Sequence, residues 1–173
     1  MRILGIDPGL RCTGYGCLDS SGPRTALVEA GIFRINAKQP LPDRLAQLHT
    51  DLDATITELA PDVIVVETLY SHYARAKTAI LMGHARGVIL LAAGTRSIDV
   101  VDYTATEVKK AITGHGHADK HQVQEAVMHQ LGLRQRPEPF DVSDAIAIAL
   151  CASRRVPVTA LDSTTSPVVS EAG

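Results

Sequence analysis

Short runs of consecutive apolar residues alternate along this chain with stretches whose apolar positions recur every three or four residues. Ile3 to Ile6 is apolar, and the run ends at Asp7 before Pro8-Gly9. That is the pattern of a strand buried on both faces that carries an acid to its carboxyl end. Thr13 to Leu18 and Thr25 to Ile35 read as two more strands, parted by the turn-forming run Asp19-Ser20-Ser21-Gly22-Pro23, so the first three strands are predicted to form an antiparallel meander. Between Pro42 and Ala60, Leu45, Leu48, Leu52, Ile56 and Leu59 mark one face of a helix that Pro61 stops. Val63 to Val66 is a further buried strand, closed by Glu67. Helices are predicted at about Ala74–Ala93, Thr104–Ile112, Lys120–Leu131 and Asp141–Arg154, with a short strand at Ile98–Val101. Strands alone and then strands alternating with helices specify an α/β chain with a mixed sheet flanked by helices.

With 173 residues, 45% of them hydrophobic, the chain can enclose one core without disulfides or a structural metal. One domain is expected over residues 1–155. Residues 156–173 are small and polar, with Pro157 and Pro167 and no periodicity, and are expected to be a disordered tail. Seventeen Lys and Arg against nineteen Asp and Glu leave a net charge of −2, so a nucleic-acid site would have to be a local basic face. Cys12, Cys17 and Cys151 lack any C-x-x-C spacing and read as reduced thiols of a cytosolic protein. The apolar start is too short for a signal peptide and no apolar run approaches a membrane span, so a soluble cytoplasmic protein with no membrane partner is expected.

Candidate chemistry lies in four acids. Asp7 and Glu67 each end a central strand, where the functional groups of open α/β sheets gather. Asp141 and Asp144 stand three apart on the last helix and share a face. Four converging carboxylates repel one another unless cations compensate them. Oxygen-only ligands suit Mg²⁺ or Mn²⁺, and the chemistry such a site supports is two-metal phosphoryl transfer. Each acid also has a plainer reading: Asp7 as a turn residue before Pro-Gly, and Asp141 as a helix N-cap. Glu67, closing a run of β-branched residues, is costly to bury without a partner.

No acid stands between Glu67 and Asp99, whereas Arg75, Lys77, Arg86 and Arg96 do, and Lys109, Lys110 and Lys120 add a second basic cluster. Lys110 reads as a solvated surface residue. Tyr70 and Tyr73 sit in the polar stretch after Glu67, where a ring could stack on an unpaired base or simply pack with its hydroxyl in water. His117 and His121 have helical spacing but no HExxH core, so contact with phosphate is the better reading than zinc.

The ordered motifs GIDPGLRCTGYG, VVE followed three residues later by an aromatic, GHARGV, TEVKKAITGHGHADKHQV and FDVSDAIAIA closely resemble the RuvC family of Holliday-junction resolvases over about residues 1 to 154. The resemblance implies an RNase H-like fold with a five-stranded mixed sheet, and a homodimer that sets two active sites on four-way junction DNA. It implies Asp7, Glu67, Asp141 and Asp144 as ligands of two Mg²⁺ or Mn²⁺ ions. Lys109 and Lys120 would hold the scissile phosphate, with Lys120 among the catalytic residues, and Tyr70 would stack on a base near the crossover. Tyr73, Arg75, Lys77 and Arg86 complete the expected DNA contacts. Paired, symmetric cuts leaving 5′-phosphates, and association with a branch-migration helicase complex of RuvA and RuvB, are implied as well. Some family members carry His in place of one acid of the last motif, where this chain has Asp. Small residues Ala79, Gly83 and Gly87 mark a smooth face of the second helix, suited either to a second copy or to the chain's own sheet. The loop Asp7-Pro8-Gly9 also fits an actin-like ATPase lobe, which would need a second lobe that 154 ordered residues do not supply.

Overall fold

The computed structural model describes residues 1–21, 24–69 and 76–155. Five strands, β1 (Arg2–Asp7), β2 (Cys12–Asp19), β3 (Ala26–Arg34), β4 (Val63–Glu67) and β5 (Asp99–Tyr103), form one sheet in the order β3-β2-β1-β4-β5. The meander β1-β2-β3 is antiparallel, whereas β1-β4 and β4-β5 pair parallel. Helices α1 (Leu41–Leu59), α2 (Ala76–Thr95), α3 (Ala105–Thr113), α4 (Lys120–Leu131) and α5 (Phe140–Ser153) cover both faces. Strand β5 runs to Tyr103, two residues past the predicted end. The predicted beginning of the second helix, before Ala76, and the expected tail lie outside the described residues.

Period-two alternation divides the central strands between two cores. Ile3, Val63 and Val65 face Val108, Val127 and Ile146 of α3, α4 and α5. Leu4, Ile6, Ile64 and Val66 face Leu48, Leu52 and Ile56 of α1 and Ala85 and Ile89 of α2. Asp7 and Glu67 continue the first set, so both side chains turn toward the α5 side.

Helix α5 lies unusually close to the sheet. A Cβ on Gly5 would stand 2.2 Å from the carbonyl oxygen of Ala145, and one on Gly14 would stand 1.9 Å from that of Asp141. The sheet thus presents a trough without side chains, and the small residues of α5 fill it.

One sequence expectation needs correcting. The stretch Lys77–Thr95 of α2 is long and apolar enough to cross a membrane by length and composition, because the helix is apolar on more than one side. Ala85, Ile89, Ala92 and Ala93 are buried in the domain core. Ile80, Leu90 and Leu91 are exposed on it, and among the described residues nothing within 4 Å would meet a Cβ at Gly83 or Gly87. Close packing of those glycines on the chain's own sheet is therefore not what the structure has.

Candidate active site

Parallel pairing of β1 with β4 runs from Ile3↔Val63 to Ile6↔Val66, so the next residues, Asp7 and Glu67, emerge side by side at the carboxyl edge of the sheet. The opposite neighbour of Asp7, on β2, is Gly14, whose Cα abuts the first turn of α5. That contact sets Asp141 and Asp144 beside the two strand ends. All four acids line a single cavity of about 570 Å³, together with Lys109 and Lys120.

Asp141 is not the cap of its helix. The N-cap is Pro139, with no side-chain capping bond, and Asp141 lies within the first turn, where its carboxylate meets the positive end of the helix dipole. The two helices that supply the lysines do have side-chain caps. Thr104 and Glu107 form a capping box at α3, and Asp119 and Gln122 form one at α4. These boxes start both helices at defined residues and so fix where Lys109 and Lys120 stand.

Electrostatics confirm that the acids act on one another. The Asp7 carboxyl is pushed up to about 8, by burial first and then by Asp144, Glu67 and Asp141, with Lys120 opposing. Glu67 is also raised, by burial and by Asp144, against Lys109 and Lys120. Lys120 donates to Asp144 Oδ2 at 3.0 Å and lies 5.8 Å from the centroid of the Phe140 ring. Burial acts to lower the Lys120 amine, but Asp144, Asp7 and Asp141 outweigh it and raise the group. Four carboxylates crowded closely enough to raise Asp7 and Glu67 against the pull of the lysines are a donor set that hard divalent cations fit. Among the described residues no three His, Cys, Asp or Glu side chains are already drawn into a closed cage. Mg²⁺ does not need one, since it keeps several waters and takes only one or two carboxylates at a time.

The basic surface expected between Glu67 and Asp99 is smaller than its sequence indicated. Arg86 donates to both carboxylate oxygens of Asp102, at 2.7 and 2.8 Å, and Arg96 pairs with Asp53 at 2.7 Å. Both cations are paired with acids from distant segments, which a local reading cannot see. Lys77 is exposed in the first turn of α2. Tyr70, Tyr73 and Arg75 lie outside the described residues. His121 packs edge-on against Phe140, with ring centroids 4.9 Å apart. The three cysteines are free thiols, Cys12 partly exposed in the cavity and the other two buried. Two cavity residues that the sequence did not single out are Arg11 and Arg44.

Comparison with known proteins gives the family. A relative from Rhodopirellula baltica, a crossover junction endodeoxyribonuclease RuvC, is 51% identical over 149 residues, covering 86% of this chain and 84% of its own length. The structure of Thermus thermophilus RuvC superposes with a TM-score of 0.80 at 31% identity, covering 89% of this chain and 96% of that one. The same protein in complex with a Holliday junction substrate matches with a TM-score of 0.80 at 31% identity, over 88% and 93% of the two chains. The family described as crossover junction endodeoxyribonuclease RuvC matches residues 3–152, nearly the whole run from β1 to α5, and to that family this chain belongs.

Proposed function

We propose that the four-carboxylate cavity hydrolyses phosphodiester bonds at four-way DNA junctions, the activity of the crossover junction endodeoxyribonucleases to which the chain belongs. Asp7, Glu67, Asp141 and Asp144 are the residues that would hold divalent ions, two Mg²⁺ or Mn²⁺ per site. Once bound, such ions activate the attacking water and stabilise the leaving oxygen of an in-line displacement. The chain's own groups do the rest. Asp7, beside Glu67 on the neighbouring strand, sets the centre of the ligand array, and Asp141 and Asp144 close it from α5. Lys109 and Lys120 hold the scissile phosphate and offset the charge that grows on it in the transition state. Tyr70 stacks on a base beside the cut, and Tyr73, Arg75 and Lys77 extend the contact with the backbone. The products carry 5′-phosphate and 3′-hydroxyl ends.

Paired cuts require two sites. Ile80, Gly83, Gly87 and Leu91 of α2 form a stripe that no described residue covers, with Ile80 60% and Leu91 57% exposed, smooth enough for the same helix of a second copy to lie close. We take this stripe as the homodimer interface. Residues 1–155 form the nuclease domain, and a branch-migration helicase complex of the RuvA and RuvB kind is the expected partner in the cytoplasm.

One observation carries this reading: acids from distant parts of the chain, Asp7 near its start and Asp144 on the last helix, line the same cavity as Glu67, Asp141 and Lys120. The test is incubation with a synthetic four-way junction and with a linear duplex, with and without Mg²⁺ or Mn²⁺. Symmetric nicking of the junction only in the presence of metal is expected. Junction binding without metal-dependent nicking would overturn the catalytic reading.

A further inference from the structure

Arg11 and Arg44 line the same cavity as the catalytic acids but belong to the other side of the fold. Lys109 and Lys120 come from α3 and α4, which pack on the α5 face of the sheet. Arg11 lies in the loop leaving β1, and Arg44 lies in the first turns of α1, which packs on the opposite face. The cavity therefore straddles the carboxyl edge of the sheet, with cations at both margins and acids between them.

Arg86, Arg96, Arg136 and Arg155 each meet a carboxylate, whereas Arg11 and Arg44, like Arg2, Arg34 and Arg154, have none within 4.0 Å among the described residues; what sets these two apart is their place in the cavity of the acids. Asp43, next to Arg44 in the chain, forms no ion pair with it, and the four cavity carboxylates do not either. Arg44 is nevertheless held in place. Its Nη2 donates to the carbonyl of Leu10, in the same loop as Arg11, and its Nε is enclosed by protein without a partner. A buried guanidinium donor without a partner calls for an explanation. A fork fixed at one nitrogen, with its charge uncompensated, is pre-organised for an incoming oxyanion.

We propose that Arg11 and Arg44 form a second phosphate-holding wall, gripping the DNA backbone on the side of the scissile bond away from Lys109 and Lys120. The inference rests on the nuclease reading above. A strand drawn across four carboxylates needs cations on both sides to stay seated, and the lysines supply only one side.

The test measures junction binding by fluorescence anisotropy in the Asp7→Asn background between about 50 and 300 mM salt, for Arg11→Gln, Arg44→Gln and Arg44→Lys. Each Gln variant is expected to weaken binding roughly tenfold, as loss of one charge-assisted hydrogen bond would. Each should also flatten the dependence of log K on log salt by about 0.9. Arg44→Lys should keep the slope and lose only part of the affinity, because an ammonium keeps the charge but not the fork. A merely structural role would lower the melting temperature and leave the slope alone. If Arg44→Gln does not fold, Arg11→Gln and Arg44→Lys decide. Wild-type slope and affinity in Arg11→Gln would overturn the proposal. Parallel cleavage assays with Asp7 intact separate the two claims: absence of junction cleavage by the wild-type protein sinks the nuclease reading, whereas normal cleavage with unchanged slopes sinks only this one.

Discussion

Asp7→Asn should abolish cleavage and, without divalent ions, make the protein more stable. The carboxyl of Asp7 sits at about 8 rather than 3.8 because burial and three neighbouring acids disfavour its charge. A folded-state value above the unfolded one means that the contribution to stability is whole below about pH 4 and is lost as pH rises through about 8. At pH 7 the unfolded chain ionises Asp7 freely while the fold resists it, and at about 1.4 kcal/mol per pH unit this costs the fold up to about 4 kcal/mol. Rearrangement of the carboxylates and entry of water reduce the figure to about 2 kcal/mol. Asparagine has the same shape and no charge, so in EDTA at pH 7 the variant should melt about 4–8 °C above the wild type. The wild-type melting temperature should fall between pH 5 and 8, and that fall should be much smaller in the variant. Added Mn²⁺ should stabilise the wild type far more than the variant. Thermal unfolding across this pH range, with and without Mn²⁺, checks the sign, and junction cleavage checks the chemistry. A wild-type melting temperature that is flat from pH 5 to 8 in EDTA, matched by the variant, would refute the repulsive cluster.

Lys120→Met removes the donor to Asp144. Because its side chain is 60% exposed, stability should change by less than about 1 kcal/mol, while the single-turnover cleavage rate should fall at least about 100-fold; a normal rate would remove Lys120 from catalysis. Gly14→Ala would put a methyl 1.9 Å from the Asp141 carbonyl oxygen, so α5 must move. Urea denaturation should show a loss of about 3 kcal/mol alongside loss of cleavage, and an unperturbed variant would show that the close approach does not matter. Leu91→Glu, on the exposed stripe of α2, should give monomers by sedimentation that no longer make paired cuts; intact dimers would place the interface elsewhere.

What the sequence determined by itself was local. Period-two runs ending in Asp7 and Glu67 specified strands with acids at their ends, and the spacing of Asp141 and Asp144 specified one helix face. All of these stand in the structure. The N-cap alternative for Asp141 could be closed only by the fold, because capping depends on where a helix starts, and Pro139 takes that position. The resemblance to RuvC added roles for Lys109 and Lys120, and both line the cavity.

Tertiary structure decided everything that depends on partners distant in the chain. Arg86 looked like a free cation because no acid stands near it in sequence, yet β5 brings Asp102 to its guanidinium. Gly5 and Gly14 gave no sign that they exist to admit α5. Nothing in the sequence singled out Arg44, whose place beside the acids exists only in the fold. The physical reason is common to all three. Backbone periodicity is set by neighbours one to four positions away and is written into the chain, whereas compensation of charge and closeness of packing belong to pairs that only folding brings together.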